Sequence, residues 1–314
     1  MISFLAARLV AIVPLSLLII LIAFSLLQFV PGDPAVAMLG IDATPERVAA
    51  MRERMGLDRP FGERFLGYVW DILRGDFGRS TFLNQEVLVA IRERLPVSLF
   101  LAAMGLFWAV LFGIPAGILA AAHRGGWVDR GLMLVSLIGM SIPSFWLGLI
   151  LILLVGVWLN LLPTGGYVAL FDDPWQALRH MLLPSLSLGL IQMAQVARMT
   201  RSAMLEVLQQ DYVMVARAKG LSEFRVLTLH ALPNGLSSIL TVTALIFAEL
   251  LGGALVTEQI FSLPGIGQLI VSAVGFRDYP VIQGALVVVG IAYVIINSAT
   301  DIAYGIVDPR AREL

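Results

Sequence analysis

Residues 96–121 read PVSLFLAAMGLFWAVLFGIPAGILAA, with no charged side chain between Pro96 and Ala121. A helix needs about 20 mostly apolar residues to cross the hydrocarbon layer of a bilayer. Working outward, five more runs have this character: Leu9–Val30, Gly131–Leu159, Met181–Ala197, Leu236–Val256 and Val281–Ile306. Only helices or closed barrels satisfy every backbone group inside lipid, and these runs have helical length. The fold class this predicts is an all-α polytopic membrane protein with six transmembrane helices. Met181–Ala197 is the weakest run, because Gln192 and Gln195 interrupt it. Gly131–Leu159 is long enough to tilt, or to bend at Pro143. Ala35-Val36-Ala37 imitates a signal-peptidase site, but Leu9–Val30 is too long for a signal peptide and reads as a retained span.

Composition agrees. Of the 314 residues, 59% are hydrophobic and 14% charged, against about 45–50% and about 25% in soluble domains. That disfavours a soluble enzyme and a disordered chain. The net charge of −1 offers nothing to nucleic acid. There is no cysteine, which excludes disulfides, thiolate metal sites and a cysteine nucleophile.

Orientation follows from basic residues in short loops. With the N-terminus cytoplasmic, ten basic residues face inside and only Arg179 and Arg277 face outside. The other nine lie in Pro31–Leu95, a loop long enough to cross regardless of charge. Both termini are therefore expected in the cytoplasm.

Pro31–Leu95 holds 19 of the 43 charged residues and reads as a small helical subdomain on the outer side. Thr44, Pro45 and Glu46 start one helix and Gly56 ends it. Phe61, Phe65, Tyr68, Val69 and Ile72 have helical spacing. Asn84 can cap a third helix, which leads into residues 96–121 and is expected along the membrane surface. The subdomain either packs on the membrane part or acts as a lid or docking surface.

On the inner side, residues 198–235 form the longest loop. Within it, Asp211 reads as an N-cap and Gly220 as the residue just past a helix of about eight residues. Arg217 and Lys219 sit at its negative end. A helix this short must dock on something to persist. Tyr212, Val213, Ala216 and Leu221 give an apolar face. Ala216, Ala218 and Gly220 permit close approach of a partner. The surface underneath is either a partner protein or lipid headgroups.

Ala216, Gly220, Leu232 and Pro233 have the spacing Ala-x3-Gly-x11-Leu-Pro. This resembles the cytoplasmic coupling loop of the permease subunits of ABC importers. Met214 and Val215 stand where that family's general pattern has Glu and Ala. The version here, Tyr212-Val-x-x-Ala-Arg-Ala-Lys-Gly220, is similar to the peptide and nickel branch. Further stretches resemble the same branch: Pro31-Gly-Asp-Pro34, Met55-Gly-Leu-Asp-Arg-Pro60, Gly75-Asp-Phe-Gly-Arg-Ser80, Ser141-Ile-Pro-Ser-Phe-Trp146, Leu183-Pro-Ser-Leu-Ser187, Glu258-Gln-Ile-Phe-Ser-Leu-Pro-Gly-Ile-Gly267, Arg277-Asp-Tyr-Pro-Val-Ile-Gln283 and Asp308-Pro-Arg310.

The resemblance implies a type I ABC importer permease fold. Its parts would be a first transmembrane helix (1–30), a periplasmic helical subdomain (31–95), a transmembrane core (94–306) holding the coupling loop 198–235, and a cytoplasmic tail (307–314). It implies a second homologous permease, two cytoplasmic ATPase subunits and a periplasmic or lipid-anchored substrate-binding protein as partners, within a lipid bilayer. Asp211, Tyr212, Ala216, Arg217, Ala218, Lys219, Gly220 and Leu221 would make the ATPase-coupling site. ATP and Mg would sit on the partners, and the spans would alternate access to peptides or similar solutes.

The chain's own chemistry is consistent with borrowed energy. A Walker A loop needs Lys followed by Ser or Thr, and the single lysine, Lys219, precedes Gly220. His123, His180 and His230 are scattered, with no His-Glu-x-x-His run and no Gly-x-Ser-x-Gly elbow. An intramembrane hydrolase is thus disfavoured. Ionisable residues inside spans usually mark function. Glu249 and Asp301, with Gln192, Gln195 and Asn297, are therefore candidates for a polar translocation path. A secondary transporter would want a denser set of carboxylates. Gly252, Gly253, Gly284 and Gly290 predict close helix packing. The turn-rich loop Glu258–Pro280 is either a re-entrant hairpin or a plain surface loop.

Overall fold

The computed structural model describes residues 2–29, 34–39, 44–54 and 56–307. The sequence stretches Pro31-Gly-Asp, Met55 and everything from Asp308 onward lie outside the described residues, as does the side chain of Asp301. In chain order the helices are α1 (Ile2–Phe29), α2 (Pro34–Leu39), α3 (Pro45–Arg54), α4 (Phe61–Leu73), α5 (Val87–Ala122), α6 (Trp127–Ser141) and α7 (Ser144–Leu151). Then follow α8 (Pro174–Val207), α9 (Asp211–Ala218), α10 (Glu223–Arg225), α11 (Leu232–Gly253), α12 (Leu255–Ile260), α13 (Ile266–Gly275) and α14 (Tyr279–Val307). Wider π-helical turns, Ile152–Trp158 and Val226–Ala231, extend α7 and link α10 to α11. Among the described residues the apolar runs fall on helices, 131–159 and 236–256 each being shared by consecutive helical segments. Among the described residues, three helical stretches are long and apolar enough to cross a membrane: Val87–Ala122, Glu223–Gly253 and Tyr279–Thr300. Trp127–Ser141 with Ser144–Trp158 makes a fourth if taken as one span, bent by 98°. The bend sits at Ile142-Pro143, where the expected proline break lies. The run 181–197 belongs to a helix of 34 residues that continues into the loop expected from residue 198.

The chain divides into two units. One comprises Leu5–Val97 and Pro264–Ile295. Here α1 pairs with the first half of α14, and Gln283 Nε2 donates to the carbonyls of Ala23 and Phe24, both at 3.3 Å. Gly290 gives room for this packing, because a Cβ there would fall 2.5 Å from Ile19 Cγ2, and Gly284 does the same against α5, where a Cβ would fall 2.7 Å from Val87 Cγ1. Gly252 and Gly253, expected to do the same, have nothing within 4 Å of a Cβ position; they lie on an exposed side of their helix. Thr44 behaves as expected, its carbonyl receiving Val48 N–H at 3.0 Å. The Glu46 backbone amide and the Thr44 hydroxyl hold the Glu46 carboxyl below its usual value. Gly56, at φ +60°, closes the helix.

The expectation for Asn84 is corrected. Asn84 lies at φ +52° in a turn, and residues 78–87 fold back as a small hairpin, with Ser80 N–H on Gln85 O and Val87 N–H on Gly78 O. The helix starts at Val87 and runs unbroken through Ala122, so no separate surface helix exists there. Asp278 secures the hairpin. It is buried and accepts from Ser80 Oγ at 2.6 Å and Phe82 N at 3.0 Å. The loop Glu258–Pro280 is helical rather than a plain loop: α13 buries Ile266, Leu269 and Ala273 against Val87, Ile91 and Val281.

The other unit includes Ser98–Leu263 and the chain from Ile296. Its centre is α8, against which α6, α7 and α11 pack. Asp173 caps α8, accepting from Trp175 N and Gln176 N, with Pro174 at the first position. A seam of glycines joins α5 to α8. A Cβ on Gly113 would come 2.7 Å from Val196 Cβ, one on Gly117 2.5 Å from Ala197 O, and one on Gly189 2.5 Å from Gly105 O. Without a hydrophobic drive in lipid, such close backbone approach is what holds helices together.

Candidate functional site

Helix α9 is the inner-loop helix that the sequence singled out. Its N-cap is Gln210, not Asp211; Asp211 sits in the first turn, where its charge meets the positive helix end. At the other end Lys219 is the C-cap and Gly220 follows at φ +79°. Gly220 N–H bonds Arg217 O at 2.9 Å and Leu221 N–H bonds Ala216 O at 3.4 Å, the paired bonds of a Schellman motif. Leu221 completes the motif by folding onto the buried pair Val213 and Ala216, together with Val226, Val207 and Leu208.

This fixes which side of α9 is free. Val213 and Ala216 face the loop's own core, so Ala216 is not on the outward surface expected of it. Its small side chain lets α9 approach its own chain. The outward face carries Asp211, Tyr212, Met214, Val215, Arg217, Ala218 and Lys219. Met214 and Val215 are 56% and 52% exposed. They are exposed apolar residues that sequence reasoning left out of the site, and their place beside Tyr212 on an eight-residue helix was the available signal. Partial burial pushes the Tyr212 phenol up.

Two ion pairs hold the loop in shape. Arg217 Nε meets Glu223 Oε1 at 2.8 Å, clipping α9 to α10 on the surface. Deeper, Arg201 near the end of α8 grips Asp129 at the start of α6 with both prongs, Nε to Oδ1 at 2.6 Å and Nη2 to Oδ2 at 2.8 Å. Asp129 Oδ2 also accepts Gly125 N–H at 2.9 Å. Asp129 is buried. A planar guanidinium on a carboxylate fixes direction as well as distance.

The described candidate translocation residues lie on three helices. Gln192 and Gln195 are half-buried on α8, Asn297 is half-buried on α14, and Glu249 is exposed on α11. A cavity of about 440 Å³ lies among α5, α11 and α14, lined by Leu106, Leu240, Thr243, Phe247 and Ile296 among others, and none of those four polar residues lines it. Its Thr243 hydroxyl is turned to Ile239 O at 2.6 Å, leaving an apolar wall. Besides Asp129, this unit buries the carboxylate of Glu258, 1% exposed on α12, which accepts Ser98 Oγ–H at 2.6 Å. Sequence reasoning placed Glu258 in an outer loop. Among the described residues no three His, Asp or Glu side chains come together as a metal site.

A core of long apolar helices with a capped helix in the loop between α8 and α11 can be compared with known proteins. Residues 113–313 match the family described as binding-protein-dependent transport system inner membrane component, and residues 1–102 match its N-terminal companion. The chain is 45% identical over 300 residues to a putative peptide transport system permease protein of Brucella abortus, covering 96% of each chain. It is 41% identical to the di/tripeptide transport system permease protein DppB of Pseudomonas aeruginosa and 38% identical to the dipeptide transport system permease protein DppB of Escherichia coli, covering 99% of each chain in both cases. Among solved structures, the inward-facing methionine ABC transporter MetNI matches with a TM-score of 0.59 at 20% identity, covering 70% of this chain and 97% of that one. That likeness concerns the fold, a type I ABC permease core. With the family match spanning most of its length, the chain belongs to the binding-protein-dependent transport system inner membrane components, as a permease subunit.

Proposed function

We propose that this permease forms half of the pathway of an ATP-driven importer for short peptides, paired with a second permease and driven through α9 by cytoplasmic ATPases. The observation that carries the reading is the free face of α9. Tyr212, Met214 and Val215 are apolar and exposed, beside Arg217 and Lys219, on a helix whose other face is already used by its own loop. A face of this kind suits a groove with apolar walls and acidic rims. Both termini and α9 lie in the cytoplasm in this reading, and residues 31–95 lie outside, where a binding protein delivers cargo. The peptide class is supported by the printed names of the relatives. ATP and Mg belong to the partner ATPases.

The test is uptake by proteoliposomes holding this chain with its partner permease, ATPases and binding protein. Labelled di- and tripeptides should accumulate when ATP is supplied on the α9 side. An ion gradient alone should drive none. Gradient-driven uptake without ATP would instead favour an ion-coupled transporter.

A further inference from the structure

The polar side of α4 lines a groove of about 330 Å³. Arg64, Tyr68 and Asp71 reach it from the i, i+4, i+7 positions of one helical stripe, with Glu63 beside them. Glu53 near the end of α3 and Arg59 in the turn that follows also line it, as do Phe24 of α1 and Gln283 of α14. Gly67 lies on the same side of α4, and a Cβ there would meet nothing within 4 Å, so the groove is open beside it.

Two basic and three acidic side chains thus share one groove. Yet among the described residues none of the five forms an ion pair or a side-chain hydrogen bond. The Arg64 guanidinium is held instead over the Phe24 ring, 5.5 Å from its centroid, by a cation–π contact. Arg64 Nε and the Tyr68 hydroxyl are buried with no hydrogen-bond partner. Buried donors are nearly always satisfied in native proteins, so this pair calls for an acceptor. The charges are also sorted by depth. Arg64 and Tyr68 are half-buried, whereas Glu53, Glu63 and Asp71 are exposed at the rim. The Gln283 amide nitrogen is committed to Ala23 O and Phe24 O, which leaves its carbonyl as the polar atom it can offer. A guanidinium takes a carboxylate or a phosphate through paired N–H donors, and rim carboxylates suit an ammonium group.

We propose that this groove binds a small zwitterion, its carboxylate or phosphate beside Arg64 and Tyr68 and its primary ammonium beside Glu53, Glu63 and Asp71. A groove of about 330 Å³ is at the small end of ligand sites, which suits a solute of amino-acid or dipeptide size. Free peptides and ethanolamine phospholipid headgroups share this chemistry. Naming a peptide as the source rests on the cargo reading above. The site itself does not, and it needs neither α9 nor ATP.

The test uses the assembled permeases and ATPases in phosphatidylcholine/phosphatidylglycerol nanodiscs, which contain no ethanolamine lipid. Saturation-transfer NMR titrations are run with dialanine and, separately, with glycerophosphoethanolamine. At least one should bind saturably, and the one that binds identifies the source. Blocking the ammonium, as N-acetyl-dialanine or glycerophosphocholine, should weaken binding about tenfold. Arg64→Gln and Asp71→Asn should do the same. Gly67→Leu narrows the groove, keeps every charged side chain and improves helix propensity, so it should abolish binding without unfolding α4. Tyr68→Phe should weaken binding several-fold while leaving the unliganded melting temperature at or above wild type, because it removes a buried hydroxyl that has no partner. Binding of neither probe overturns the proposal. So does binding that survives Arg64→Gln and Gly67→Leu, which places the ligand elsewhere, or equal binding of the blocked analogues. ATP-driven dialanine uptake, with the binding protein added, is measured on the same variants. Uptake without binding at the groove overturns this site alone, and binding without uptake overturns the cargo reading alone.

Discussion

Arg201 and Asp129, 72 residues apart, form a two-pronged ion pair that ties the C-terminal part of α8 to the start of α6. Arg201 is a quarter exposed and Asp129 almost fully buried. Removing one partner of such a pair leaves an uncompensated charge, at a cost of about 2–4 kcal/mol after allowance for partial solvation. Asp129→Asn and Arg201→Leu should therefore lower the melting temperature in detergent and reduce uptake. The exchange Asp129→Arg with Arg201→Asp should recover part of both. A double variant no better than the worse single would show that the pairing is not what matters.

Met214 and Val215 project from α9, whereas Ala216 faces inward. Met214→Asp or Val215→Asp should leave thermal stability within about 0.5 kcal/mol of wild type, as for other surface changes. Peptide-stimulated ATPase activity of the assembled transporter should nonetheless fall. Ala216→Asp should lower both, because it buries a carboxylate beside Val213 and Val226. Parallel melting curves and ATPase assays separate the two cases.

Gly220 has open space around a would-be Cβ, so only its backbone conformation constrains it. Gly220→Ala should cost about 1 kcal/mol and Gly220→Asn less, since Asn tolerates the left-handed region. Gly220→Pro removes the amide that bonds Arg217 O and should abolish uptake. Equal uptake by all three variants would mean the cap is dispensable.

The glycines divide sharply. Gly117→Val must displace Thr200 and the Ala197 carbonyl and should cost about 2 kcal/mol or more. Gly253→Ala meets nothing and should stabilise α11 by about 0.5–1 kcal/mol. Thermal unfolding in detergent measures both.

Ser98→Ala deprives the buried Glu258 carboxylate of a hydroxyl at 2.6 Å. A lost hydrogen bond to a buried charged group costs about 1–3 kcal/mol. The melting temperature should fall, and Ser98→Thr, which keeps the hydroxyl, should restore most of it.

The helical architecture was legible because crossing lipid leaves a long apolar run that needs no partner to be seen. Pro143 and Gly220 were legible for the same local reason: each acts on its own backbone. What escaped depends on distant chain. Nothing near Asp129 announces Arg201, and nothing in an eight-residue helix with apolar residues all round says which side turns inward. Glu249 drew notice by interrupting an apolar run, yet it is exposed, whereas Glu258 is buried against Ser98 of α5. Asn84 was misassigned because a residue that caps helices also tolerates the left-handed turn of a hairpin.

The glycine seam between α5 and α8 carries a mechanical consequence. Backbones pressed together at Gly105, Gly113, Gly117 and Gly189 leave no slack for one helix to slide past the other. Within that unit the two helices behave as a single stiff beam. Any stroke that begins at α9 and travels along α8 must be absorbed at a joint elsewhere, and the Pro143 elbow supplies one.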